Sequence, residues 1–347
     1  MKAIKAITVF TLILTLVLAL TSCGVRIIVS YPNADAYLTG GEDGTTVIDA
    51  EVSSVEISWP VGVVRVVAGD VEAPTLVEDG EDAPLLKYLI TGGLLKIQYA
   101  EPGIYRDIKG KELTLTLPVG VSLGEFSVDG TSTEVSANGI EADDIEISCT
   151  SGRIELTDCK TPGELECTNT SGEIRITGGS ARDIELTNTS GDISLEGALA
   201  NEISLCSTSG SVSANILGDV KEITCDSTSG DVSVVASGTV EKLSFDSTSG
   251  NIRIEAGGAK QIATDSTSGD VSVKLNGIPE NIGIDTVSGS VTLTLPEGSF
   301  GIRVDTVSGD VDIEHSSVKK GSTYIVGEGG PIYEIDTVSG DINVNKR

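Results

Sequence analysis

The sequence predicts an all-β protein: a parallel β-solenoid of about ten coils, each of 19–20 residues, behind an irregular β-rich N-terminal cap. Three observations predict it. A Ser-Gly pair recurs from Ser151 to Ser339, at steps of 19 or 20 residues until a last step of 31. Aliphatic residues keep fixed places on both sides of that pair, two apart, as in short strands. The chain has 41 glycines but only 3% aromatic residues, so small β-branched side chains must build the core.

The first element is not part of that fold. Lys2 and Lys5 precede an apolar run from Ala6 to Leu18, too short for a bilayer span and suited to an export signal. Leu20-Thr21-Ser22-Cys23 follows, and resembles the bacterial lipoprotein box. The expectation is that residues 1–22 are removed and Cys23 is lipidated. The chain is then held on the cell membrane, facing its extracytoplasmic side. An ordinary secretory signal is the alternative. Residues 23–45 read as a tether, and 46–124 as the cap, with strands near Val55–Pro60, Val63–Val67, Leu94–Tyr99 and Leu113–Pro118.

Residues 125–347 form the repeats. Six and four places before each serine lie apolar columns running from Ile145 to Tyr333 and from Ile147 to Ile335. Three and five places after it lie columns from Ile154 to Ile342 and from Leu156 to Val344. One coil buries too little to order itself, so the coils stabilise one another only as a stack. The residue just before the serine is Thr from Thr150 to Thr267, then Val at Val287, Val307 and Val338. A column that accepts valine is expected to face the core. Residues 314–347 read as an atypical last coil, whose Lys346 and Arg347 blunt the final sheet edge.

Charge narrows the partners. With 52 acids against 23 bases, the chain repels nucleic acid and anionic polymers, and no nucleic-acid partner is expected. Beyond the signal the cysteines are Cys149, Cys159, Cys167, Cys206 and Cys225, an odd number with no zinc spacing. They read as small buried hydrophobes, with a Cys206–Cys225 disulfide left open.

Two acid columns are the candidate binding residues. Asp226, Asp246, Asp265, Asp285, Asp305 and Asp336 stand three places before the serine. Asp192, Asp231, Asp270, Asp310 and Asp341 stand two places after it. Carboxylates stacked ~4.8 Å apart repel by about 1 kcal/mol in water. Either turn amides offset this, or cations such as Ca²⁺ bind weakly between coils. No other cofactor is expected.

Catalysis finds little support. The serine recurs in every coil without a base beside it, and His315 stands alone in the last segment. Only the 314–334 insertion breaks the uniform coils, so Glu314 and Glu328 are the candidates if the protein acts on wall glycans. The expectation is no enzyme activity.

An ordered set of segments carries a family resemblance. Tyr31, Asn33, Ala34 and Tyr37 come first, then Val55–Val66, Leu86–Ala100, Leu113–Pro118 and the repeated Ser-Gly-Asp corners. The chain resembles the bacterial β-strand-repeat proteins of unknown function regarded as candidate adhesins. The resemblance implies a solenoid on the outer face of a cell envelope and brings no established active site. The function expected is non-catalytic binding: an adhesin-like or envelope-interaction module, monomeric, with a protein or glycan ligand. A regulatory partner of an envelope-stress sensor is the alternative.

Overall fold

Period two decides which residues meet. In the repeat at Ser171, strands Glu164–Ser171 and Ile174–Thr177 flank the corner. Each pairs in parallel with its counterpart in the next repeat. Leu165 stands beside Ile184, Ile184 beside Ile203, and Ile203 beside Ile223. The second strands keep the same register, from Ile174 to Ile193 to Val212 to Val232. The computed structural model describes residues 26–80, 83–106 and 109–347. The signal segment and Cys23 lie outside the described residues. Among those described there is no α-helix, and almost all strands join one long sheet in a β-solenoid-like stack.

Four apolar columns fill its interior, as the spacing predicts. Ile145, Leu205, Ile254 and Leu293 are each at most 1% exposed. A further buried column, seven places after the serine, runs through Ile216, Ala236, Ala256, Leu275 and Leu295. Each aliphatic side chain so buried contributes roughly 1.5–3 kcal/mol. The cysteines divide by the same alternation. Cys167 and Cys225 are buried, as expected. All five described cysteines are free. Cys206 pairs with Asp226 while Cys225 pairs with Leu205, so the two thiols lie on opposite faces and the Cys206–Cys225 disulfide is excluded.

The column before the serine faces the other way from the expectation. Val287, Val338 and Val307 are 52, 51 and 81% exposed, and the preceding threonines are exposed as well. A sixth inward position lies two places before the serine and holds small polar residues: Asn169, Asn188, Ser207, Ser227, Ser247, Ser266. Alternation from the apolar columns requires this. Valine is accepted outside because it shares threonine's shape and strand preference.

Those inner polar residues and the glycines make the corner. Asn188 donates from Nδ2 to the carbonyl of Gly172 at 2.7 Å, and its Oδ1 accepts from the Ser190 amide at 3.2 Å. In Gly210 φ is 144°, and a Cβ there would lie 2.1 Å from the Gly191 carbonyl oxygen. Glycine is required both by backbone angle and by the approach of the neighbouring corner.

The stack does not follow chain order at its ends. Strand Ile332–Ser339 pairs on one side with Asn281–Ser288 and on the other with Phe300–Ser308. Strand Ile342–Lys346 likewise lies between Val291–Leu295 and Val311–Ile313. The last coil is therefore an inner rung, and the coil at 300–313 is the outermost. Lys346 and Arg347 do not blunt the edge: the Arg347 amide donates to the Leu295 carbonyl at 3.0 Å. The edge is covered by Thr323–Val326, antiparallel to Phe300–Arg303, and Ser317–Lys320 completes the hairpin.

The other end repeats this device. Strand Ser54–Gly69 lies between Ser122–Asn138 and the pair Leu94–Gln98 and Lys111–Pro118. Antiparallel strands Thr75–Asp79 and Lys87–Thr91 finish the cap. The segment expected as a tether also pairs here from its first described residue. Arg26–Val29 joins Gly103–Arg106, and Thr45–Val47 joins Thr75–Val77. Within the cap Trp59 and Tyr99 meet edge to face at 5.0 Å. The buried Lys111 ammonium lies 4.2 Å from the Tyr99 ring centre, and bonds Glu78 and the Tyr99 carbonyl.

Candidate functional site

Two outward columns run side by side along one face because their residues are two apart on the same strands. The column three places before the serine reads Ser148, Thr168, Thr187, Cys206, then the aspartates. In stack order these are Asp226, Asp246, Asp265, Asp285, Asp336 and Asp305. The column before the serine supplies Thr189, Thr208, Thr228, Thr248, Thr267, Val287, Val338 and Val307. Between them lies a groove of about 910 Å³. All six aspartates of the first column line it. Its floor includes Ser247, Ser266, Thr286 and Thr337, each more than nine-tenths buried, with hydroxyls that have no hydrogen-bond partner.

The two acid columns have different fates. In the column after the serine, Asp192 accepts from the Ser211 amide at 2.8 Å, Asp231 from Asn251 at 2.8 Å, and Asp270 from Ser290 at 2.8 Å. Asp341 accepts from the Asp310 amide at 2.9 Å. Each of these carboxylates thus caps a turn amide one rung away, and the turn-amide reading describes them.

The groove aspartates face one another from rung to rung instead. Asp246 stands beside Asp226 on one side and Asp265 on the other. Loss of water around Asp246, Asp265 and Asp285, then their like-charged neighbours, raises all three above the usual carboxylate range. At the top of the same column, Asp129 is pushed up to about 6, first by desolvation and then by Glu146 and Glu56. Cys206 caps the series: its thiol lies 3.9 Å from Asp226, and burial followed by that carboxylate raises it.

No group of three or more His, Cys, Asp or Glu side chains among the described residues is arranged to hold a metal ion. The candidates for catalysis stand apart from the groove. His315 packs edge to face on Phe300 at 5.2 Å and bonds the Asn345 carbonyl at 3.2 Å. Glu314 accepts from the Lys346 amide at 2.9 Å.

Sequence reasoning found the aspartates but missed the opposite wall, since it turned the Thr/Val column inward. The missed signal was the run of Asn, Ser and Thr two places before the serine, in phase with the apolar columns.

Comparisons with known proteins give the following. The family model described as Toastrack DUF4097 matches residues 90–246 and 235–345. Among curated proteins, none matches the chain. A candidate cell adhesion protein from Clostridium sporogenes aligns over 87% of this chain and 98% of its own, at 11% identity and a TM-score of 0.26. A candidate adhesin from Bacteroides fragilis aligns over 63% of this chain and 95% of its own, at 16% identity and a TM-score of 0.38. A candidate lipid binding protein from Parabacteroides distasonis aligns over 87% of this chain and 96% of its own, at 12% identity and a TM-score of 0.32.

Proposed function

This chain belongs to the Toastrack DUF4097 family, and from that premise we propose that it is a non-catalytic binding module whose working surface is the aspartate-lined groove. The rungs form a parallel solenoid of about ten coils, held through lipidated Cys23 on the extracytoplasmic side of a membrane. The observation that carries this reading is the groove itself, continuous over the rungs from Thr187 to Val307. A long concave face of repeated, uniform side chains suits a long ligand better than a reacting atom. Catalysis needs one environment that differs from its neighbours.

The reading is tested in cells. A photo-crosslinking residue at Thr248, in the groove, should capture a partner, while one at Glu222, outside the groove, should not. Equal capture from both positions, or none from Thr248, sinks the groove as the binding face. The anchor is tested separately. Cys23→Ala should release the protein from the membrane fraction, and unchanged membrane association refutes lipidation.

A further inference from the structure

Part of the acidic surface is neutralised from rung to rung. Across neighbouring rungs, Glu141 faces Lys160, Glu202 faces Lys221, Glu222 faces Lys242 and Glu241 faces Lys260. Each acid there has a lysine one rung on. In the groove this stops: six aspartates are stacked, no lysine or arginine lines it, and among the described residues none of the six forms a salt bridge. No side chain lining this concave strip supplies a counter-charge to them. We propose that it comes from a ligand: an extended basic polypeptide segment, in polyproline II conformation, with a lysine or arginine at every third position.

This rests on the groove being the binding face, and three further features select the ligand class. The first is register. Rungs repeat every ~4.8 Å, so alternate aspartates are ~9.6 Å apart. A polyproline II chain rises about 3.1 Å per residue with three residues per turn, which returns the same face every ~9.3 Å. A β-strand returns it every ~6.6 Å and falls out of step within two rungs. Six aspartate rungs therefore match about nine residues of ligand, with cations beside every second carboxylate.

The second feature is the opposite wall. Val287, Val338 and Val307 expose methyl groups along the acidic stretch, an apolar surface on which pyrrolidine rings can pack. The third is that the fold already places main chain on this face. Near the cap, Ile28, Val29 and Ser30 share a cavity of about 190 Å³ with Asp129, Thr131, Ser148 and Thr150, which continue the same two columns. There the chain's own N-terminal strand stands where a ligand would lie further down.

The probe is fluorescein-labelled (Lys-Pro-Pro)4, titrated into the full chain in mild detergent and followed by anisotropy. Saturable binding that weakens with salt is expected. The variant Asp246→Asn/Asp265→Asn/Asp285→Asn, checked to melt no lower than the parent, should bind at least about tenfold more weakly. An isomer with its four lysines contiguous should also bind about tenfold more weakly, because its charges fall out of register. Absence of binding, an unaffected variant or an equally bound isomer overturns the proposal. A glycan crosslinked at Thr248, with no response to the lysine peptide, refutes the ligand class and leaves the binding face standing. No crosslink at Thr248 refutes the face itself.

Discussion

Asp285 and Asp336 are neighbours on adjacent rungs, although the whole rung carrying Asp305 lies between them in the chain. The C-terminal coil is thus inserted into a stack whose outermost member was made earlier. Deleting residues 332–347 should therefore open the interior rather than trim an end. The Gly289 and Val291 amides donate to the Ser339 and Asp341 carbonyls, at 3.0 and 2.8 Å, and would lose these partners. Hydrogen exchange should show both amides deprotected and the coil at 300–313 detached. Protection retained at Gly289 and Val291 would mean that the coil is not an inner rung.

The corner glycines give a sharper mutational test. Gly210→Ala asks a side chain to adopt φ of 144° with its Cβ against the Gly191 carbonyl. It should cost about 3 kcal/mol in denaturant unfolding, the scale of a strained backbone residue. Gly277→Ala meets nothing within 4 Å and has no positive φ, so it should be nearly neutral. Equal costs at the two positions would refute the corner geometry.

How far the sequence could be read follows from these same residues. The repeat and the four apolar columns were legible, because each recurs in every coil with a fixed spacing. The wall of threonines and valines was misread. There a substitution pattern, Thr to Val, was set above the period-two phase fixed by Ile145 and Ile147, and the phase decides. The inserted rung was not legible in principle. The residues at 332–346 have the same pattern as any other coil, and nothing local records which neighbours they pair with. The cap was legible only as strands, since contacts such as that between Lys111 and Glu78 join residues without periodic spacing.

That contact can be tested directly. The Lys111 side chain is fully buried and Glu78 is 7% exposed. Desolvation, partly offset by Glu78, lowers the Lys111 ammonium to about 8. Lys111→Met leaves a buried carboxylate without its partner and should cost about 3–5 kcal/mol. Adding Glu78→Gln should recover much of that loss, because the uncompensated charge is gone. A double variant as unstable as the single one would assign the cost to packing around Trp59 and Tyr99 instead.

The groove aspartates set the direction of the pH dependence. Asp246, Asp265 and Asp285 are raised in the folded chain, and Asp129 is raised to about 6. In the folded state these groups hold protons that the unfolded chain has already released. Their stabilising contribution is present in acid and is lost as pH rises from about 4, the ordinary carboxylate value, through their folded values. The exposed pairs of Glu241 with Lys260 and Glu255 with Arg253 act in the opposite sense, but solvent screens them. The melting temperature should therefore be higher at pH 5 than at pH 7.5. Asp265→Asn should raise it at pH 7.5 and flatten the profile, since it removes one charge from the middle of the series. Melting curves in EDTA and in millimolar Ca²⁺ should coincide at either pH. A calcium-dependent rise that Asp265→Asn abolishes would place a cation between the rungs.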